Sequence, residues 1–152
     1  MRFVWDDRLK TGNFEVDDQH KQIVALIGRM SAQEKKQSDP MELQKLFDAL
    51  HLYAHTHFAT EQALVYQANL TETSLWFNHQ GAHDYYMKRI QEFREDLERK
   101  DERALFRIVA FLKYWWVEHI CNEDQLLVEV LNDKATHEAA KTEPERSVRV
   151  QS

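Results

Sequence analysis

The sequence predicts an all-α fold, an up-down-up-down four-helix bundle with an extended N-terminal arm. Of its 152 residues, 43% are hydrophobic and 30% charged, while only three are glycine and two are proline. So few turn-forming residues leave little room for the tight connections of a β-sandwich or β-barrel. Between the helix-breaking positions, apolar residues recur at steps of three and four, as in amphipathic helices. Four such helices joined by short loops must run antiparallel to their neighbours.

The first two helices begin at recognisable signals. Asp17 is the predicted cap of the first helix, which is expected to end near Lys36. Asp39 is the predicted N-cap of the second helix, with Pro40 at its first position and Glu42 placed to close a capping box.

The polar stretch 67–74 separates the second helix from the third, and Asp101 is the predicted cap of the fourth. Beyond Asn132 the chain turns polar. We therefore expect one domain over residues 1–132 and a mobile polar tail or a linker over residues 133–152.

Composition and charge exclude several classes of function. The net charge of −6, without a cluster of lysine or arginine, argues against nucleic acid as a partner. A single cysteine cannot form an internal disulfide framework, and residues 1–7 lack the apolar core of a signal peptide, so we expect a cytoplasmic protein. The longest apolar runs, such as 108–112, are too short to span a membrane.

Ionisable residues interrupt the apolar stripes of all four predicted helices: His20; His57 and Glu61; His79 and His83; His119 with Glu123 and Asp124. In an antiparallel hairpin, positions equally far from the turn lie at the same height. The groups on successive helices are centred on the breaks at Asp39-Pro40, at 67–74 and at Asp101. The sequence therefore places them in a single layer of the bundle.

Taken singly, each histidine is best explained as an ordinary core residue bonded to a carbonyl group. Buried together, five imidazoles and two carboxylates would cost about 2–7 kcal/mol for each unpaired polar group, which bound metal would offset. Seven ligands exceed a tetrahedral zinc site, and no Cys-x-x-Cys is present. Two octahedral metals bridged by carboxylates would use all seven, and this mixture of ligands suits iron.

The motifs at these positions resemble those of the hemerythrin family, and in particular of the bacteriohemerythrins, over roughly positions 3 to 131. They are Phe3-Val4-Trp5, Val16-Asp17-Asp18-Gln19-His20, His57-Phe58-Ala59-Thr60-Glu61, His79-Gln80-Gly81-Ala82-His83 and Trp115-Trp116-Val117-Glu118-His119-Ile120-Cys121-Asn122-Glu123-Asp124. Each motif alone is weak, but their joint order and spacing are highly specific.

The resemblance implies a non-haem di-iron centre with a solvent-derived bridging oxygen. One iron would be held by His79, His83 and His119, and the other by His20 and His57. Glu61 and Asp124 would bridge the two irons. The second iron would be one ligand short, and dioxygen would bind there. Phe58, Trp116 and Ile120 are expected to line the pocket. The family commonly carries leucine at the position of Trp116, so we expect the indole to narrow or gate the pocket.

For the carboxylate that follows His119, the residue spacing and the family resemblance point to different residues. Glu123 stands four residues after His119, which puts both on one helix face, whereas Asp124 stands five after it. The residues alone favour Glu123, and the resemblance selects Asp124. We therefore predict that the helix is locally widened or that the Asp124 side chain leans towards the metals.

The predicted function is reversible dioxygen binding for storage, delivery or buffering, without enzymatic turnover. Five neutral imidazoles and only two carboxylates favour ferrous iron over the high-valent iron of oxygen-activating sites. The alternative is a module that senses oxygen, redox state or nitric oxide for an output domain or redox partner; a third possibility is a di-iron peroxidase or nitric oxide scavenger. His51, His55 and His137 are predicted to face solvent.

Overall fold

The protein forms a four-helix bundle, as predicted, in a computed structural model that describes residues 3–35 and 39–151, with side chains as far as residue 140. A 3₁₀ turn, Asp7–Leu9, follows the N-terminal arm. The helices are α1 (Phe14–Gln33), α2 (Pro40–Gln67), α3 (Ser74–Glu98), α4 (Ala104–His119) and α5 (Gln125–Gln151). A π-helical turn, Ile120–Asp124, joins α4 to α5 without a break, so these three segments form the fourth helix of the bundle.

The start of α1 differs from the prediction. Asn13 is the N-cap, and its side chain accepts a hydrogen bond from the backbone N–H of Val16 at 3.0 Å. Asp17 lies inside the helix, where its carboxylate accepts from the backbone N–H groups of Thr11 at 2.8 Å and Gly12 at 3.2 Å. Asp17 was therefore wrong as a cap, and instead it ties the N-terminal arm to α1.

α2 begins as predicted, with Asp39 as the N-cap accepting from the backbone N–H of Met41 at 3.0 Å. The carboxylate of Glu42 lies 3.5 Å from the guanidinium of Arg29 and so links α2 to α1. α1 ends at Gln33, and Lys36, its predicted end, lies outside the described residues.

Asp101 does not cap α4, which begins at Ala104. Its carboxylate instead accepts from the backbone N–H of Arg103 at 2.9 Å and from the guanidinium of Arg107 at 2.7 Å. Asp101 thus stabilises the turn that precedes the helix.

The fourth helix continues past Asn132 to Gln151, so the backbone of the predicted polar tail is helical over residues 133–151. The division into a domain over residues 1–132 and a polar tail or linker over residues 133–152 stays a prediction. Within the described residues, no helix combines the length and the apolar character needed to cross a membrane.

The apolar core lies on both sides of the polar layer. The larger cluster includes Met30, Leu46, Ile90 and Ile108, all buried. The smaller cluster is built by Val65, Trp76 and Leu127. Along α2, α3 and the fourth helix, the ionisable residues come at the junction between the two clusters. Packing on both sides therefore holds the polar layer away from solvent.

Candidate metal centre

The structure brings all seven predicted ligand residues together, and each is at most 5% exposed. They form two sets in which the potential ligand atoms lie within 4.8 Å of one another: Glu61, His79, His83, His119 and Asp124; and His20, His57 and Asp124. Because Asp124 belongs to both sets, the two groups form one continuous centre.

The π-helical turn Ile120–Asp124 aligns the last two of these residues. Oδ1 of Asp124 lies 2.9 Å from Nε2 of His119 although the residues are five positions apart. The predicted local widening of the helix is therefore observed. Glu123 contacts the outer nitrogen of the same ring, with Oε2 3.3 Å from Nδ1, and is partly exposed.

Asp124 divides its two oxygens between the two sets. Oδ2 lies 2.6 Å from Nε2 of His20 and 3.1 Å from Nε2 of His57. Oδ1 lies 3.1 Å from Nε2 of His79, in addition to its contact with His119. A carboxylate arranged in this way can bridge two metal ions.

Glu61 also divides its two oxygens between the two sets. Its Oε1 is 2.8 Å from Nε2 of His57, and its Oε2 is 2.9 Å from Nε2 of His79. Nε2 of His83 lies 3.4 Å from Oε1 and 3.1 Å from Nε2 of His119. Two adjacent ligands, each about 2.1 Å from one metal at right angles, stand about 3 Å apart. The observed separations match that spacing.

Several enclosed atoms of the centre lie close to a facing ligand atom but do not meet it in hydrogen-bond geometry. They include both carboxylate oxygens of Glu61, Oδ1 of Asp124 and Nε2 of His79. Buried polar groups are normally paired, because an unpaired one costs free energy. Metal ions would satisfy these lone pairs, so the residues present fit a pair of bound cations.

The electrostatics of the metal-free centre favour ionised carboxylates facing charged imidazoles. Burial, the largest influence, acts to lower the pKa of both His57 and His79, but the two facing carboxylates outweigh it and raise these pKa values to about 9 and about 10. Burial likewise acts to raise the pKa of Glu61 and Asp124, yet the histidines hold both pKa values well below their ordinary range. Bound cations would replace these protons.

Gln19 and Thr60 support the centre from outside, and the sequence reasoning did not identify them. Oε1 of Gln19 lies 2.8 Å from Nδ1 of His57, and Nε2 of Gln19 donates to Oγ1 of Thr60 at 2.8 Å. Since the amide nitrogen is engaged by Thr60, His57 donates its Nδ1–H and keeps the Nε2 lone pair for a metal. Gln19 and Thr60 are equally far from the Asp39-Pro40 break. The distance from the turn, which predicts that the ligands lie at one height, therefore also predicts that these two residues are neighbours.

The three predicted pocket residues are at most 9% exposed, and two of them, Phe58 and Trp116, pack against ligand histidines. Phe58 stacks on His83, with ring centroids 3.8 Å apart, and Ile120 is packed into the main core. The Trp116 ring packs against those of both Phe58 and His57, with centroids 5.8 Å and 5.9 Å away.

The Trp116 ring is also 6.4 Å from that of His20. Its Nε1–H donates to the hydroxyl of Tyr86 at 3.2 Å, and both rings are fully enclosed. This hydrogen bond fixes the indole against the two-histidine set.

The three remaining histidines lie outside the centre. His55 and His137 are exposed, as expected. His51 is half-buried, which corrects its predicted solvent-facing position, and burial together with Arg94 lowers the pKa of its ring.

Comparison with known proteins agrees with this geometry. The family model described as the hemerythrin HHE cation binding domain matches residues 11–131. A bacteriohemerythrin of Pseudomonas aeruginosa is 29% identical over 80% of this chain and 76% of its own length. A hemerythrin-like protein of Naegleria gruberi is 26% identical over 80% of this chain and 87% of its own. No solved structure gives a significant match. The family match spans most of the chain, and the protein therefore belongs to the hemerythrin family.

Proposed function

We propose that the protein binds dioxygen reversibly at a pair of iron ions held by the seven buried residues. The observation that carries the proposal is the pair of ligand sets that share Asp124. When bound, the irons would supply the electrons needed to hold dioxygen. The relatives named bacteriohemerythrin support the assignment to this family of sites.

The two ligand sets differ in size, which supports unequal roles for the two metal positions. His79, His83 and His119 would hold one iron. His20 and His57 would hold the other, with Glu61 and Asp124 bridging the pair. The smaller set has fewer protein ligands, so we assign the exogenous ligand to its side.

The chain's own contribution is to hold the ligands in place and to keep water away. Gln19 holds His57 in one tautomer, and the enclosed ring of Trp116 lies beside His57 and His20. An apolar cover limits the water and protons that reach the site, which favours release of dioxygen over its reduction. The carboxylate-poor ligand set also favours binding over oxidation of a substrate.

Sensing by the same site is a second candidate, favoured by the course of the fourth helix. α5 begins at Gln125, directly after Asp124, and continues to Gln151, beyond the family match that ends at residue 131. A shift at Asp124 would therefore act on the first turn of a long helix. Hydrogen exchange of residues 125–140 that changes between the oxygen-free and oxygen-bound protein would support sensing, and unchanged exchange would count against it.

The decisive experiment loads the purified protein with ferrous iron without oxygen and records its iron content and optical spectrum. Oxygen is then added and afterwards removed with argon. Two irons per chain and a visible band that appears with oxygen and disappears under argon would support the proposal. Iron binding followed by rapid, irreversible oxidation with turnover of peroxide or nitric oxide would instead indicate a di-iron enzyme. Zinc-loaded protein is the control, because zinc has no accessible redox change.

A further inference from the structure

Each histidine of the larger set has an aromatic ring stacked on its face. Phe58 covers His83, as described above. The Trp76 ring lies 5.4 Å from that of His79, inclined by 29°. The Trp115 ring lies 4.4 Å from that of His119, inclined by only 16°. Two of the three covering residues are tryptophans, whose indole ring is oxidised by one electron far more readily than the phenyl ring of Phe58.

Trp115 differs from the other two rings in its exposure. Phe58 and Trp76 are buried, at 9% and 4% exposed, whereas Trp115 is half-buried. One part of its indole therefore contacts His119 and another part meets solvent. A single side chain thus spans the distance from a proposed iron ligand to the surface.

The oxidisable rings behind Trp115 have no comparable exit. The ring centroids of Tyr86 and Trp116 lie 4.4 Å and 5.0 Å from that of Trp115. Both Tyr86 and Trp116 are fully enclosed. A phenol must release its proton when it is oxidised, and burial raises the pKa of Tyr86. An indole can lose an electron first and release its Nε1 proton later. Of these three rings, only Trp115 combines contact with a ligand and contact with solvent.

We infer that Trp115 is an electron-transfer residue that donates single electrons from the surface to the metal centre when the centre is attacked by hydrogen peroxide. The inference rests on the proposed iron site. Reduction of one hydrogen peroxide to two waters breaks the O–O bond and consumes two electrons and two protons. When only one iron is ferrous, that iron would supply one electron, and Trp115 supplies the other and releases its Nε1 proton to solvent. A one-electron donor such as ascorbate then returns an electron, and solvent returns the proton.

The test adds hydrogen peroxide to iron-loaded protein that is half-reduced, with one ferrous and one ferric ion, so that the iron pair can supply only one of the two electrons. A nitroso spin trap is present, and peptide mass spectrometry locates the trapped radical. We expect the adduct on Trp115, no adduct in zinc-loaded protein, and less adduct when ascorbate is present. Trp115→Phe keeps the stacked ring but is not readily oxidised. It should lose the adduct and show several-fold more oxygen incorporated into the ligand histidines.

Trp115→Tyr restores an oxidisable ring and should restore protection of the histidines. Trp5→Phe is the matched control, because Trp5 belongs to the N-terminal arm and its ring packs beside Lys21 of α1. The Trp5→Phe variant should behave like the unaltered protein. Adduct on Trp76 in place of Trp115, or equal histidine oxidation in Trp115→Phe and the unaltered protein, would overturn the inference. A reversible oxygen band without any adduct would overturn it while leaving the proposed function intact. Adduct on Trp115 without a reversible oxygen band would support the inference but overturn the proposed function. Failure to bind iron would overturn both.

Discussion

His119 and Asp124 are five positions apart on one continuous helix, yet Nε2 of the first and Oδ1 of the second lie 2.9 Å apart. In a regular α-helix these residues would point about 140° away from each other. The π-helical turn Ile120–Asp124 contains nearly one residue more than an α-helical turn. This extra residue brings both side chains to the same face of the helix. The regular spacing would have placed Glu123 there instead, and Glu123 now contacts the outer nitrogen of His119.

The first prediction separates these two carboxylates. Asp124→Ala removes the oxygens that face both ligand sets, so we expect it to lose most of the bound iron from both positions. Glu123→Ala is the matched control and should retain both irons, because Glu123 contacts only the outer Nδ1 atom. Iron per chain, measured after gel filtration, checks the result. The opposite pattern would show that Glu123 is the ligand.

The second prediction concerns the hydrogen bond between Gln19 and His57. Gln19→Leu removes the acceptor that fixes His57, and loss of such an outer contact typically lowers metal affinity by about 10–100-fold. We expect the weakening at the smaller ligand set, with the larger set unchanged. Titration with Co²⁺ under anaerobic conditions, followed by its visible absorption, resolves the two steps. Equal weakening of both steps would show that Gln19 acts on the whole bundle.

The third prediction is a pH dependence of metal binding. At pH 7 the metal-free centre carries protons on His57 and His79, since their pKa values are about 9 and about 10. Metal must displace these protons, so its apparent affinity should rise from pH 6 to pH 9 and binding should release protons. Zn²⁺ titration in weakly buffered solution with a pH indicator measures both effects. An affinity that is constant over this range would show that the two imidazoles are already neutral.

The four helices and the height of the site could be predicted from the sequence, because both depend on periodicity and on distances from turns. His20 and the pair His57 and Glu61 are level because the loop at Asp39-Pro40 is short and the helices are antiparallel. Burial also follows from this pattern, since each ligand replaces an apolar residue on an inward-facing stripe. Local periodicity and global topology agree along most of the chain, so the prediction succeeds there.

Features that depend on competing local contacts could not be predicted in the same way. Asp17 has the side chain of a good cap, but Asn13 takes that position and Asp17 binds the arm instead. The π-helical turn breaks the periodicity on which the helix prediction relies, and only the family resemblance selected Asp124. The outer contact from Gln19 depends on a side-chain rotamer, which the spacing of residues does not determine.

The fourth prediction concerns the hydrogen bond between Trp116 and Tyr86. Tyr86→Phe leaves the buried Nε1–H of Trp116 without an acceptor, which should lower the free energy of unfolding by about 1–3 kcal/mol. Tyr85→Phe is the control, because Tyr85 is 54% exposed, and its effect should lie within about 0.5 kcal/mol. Urea unfolding of the metal-free variants measures both. Equal stability of the two variants would show that the hydrogen bond contributes nothing.

The fifth prediction is that Trp116 limits access to the smaller ligand set. Its fully enclosed ring lies 5.9 Å from His57 and 6.4 Å from His20, so a smaller side chain would open space beside both. Trp116→Leu should speed exchange of oxygen and azide by about tenfold or more, which corresponds to a barrier lower by about 1.4 kcal/mol. The loss of packing should also lower the free energy of unfolding by about 2–4 kcal/mol.

Stopped-flow absorption of the iron-loaded protein measures exchange, and Tyr86→Phe tests whether the position of the indole matters as well as its size. If Trp116 gates the site only while Tyr86 holds it, Tyr86→Phe should also speed azide exchange, but by less than Trp116→Leu. Azide is the larger of the two ligands, so its exchange should respond more strongly than that of oxygen. Unchanged rates for both ligands in Trp116→Leu would show that access follows another route through the bundle, since the indole would then be a packing residue alone.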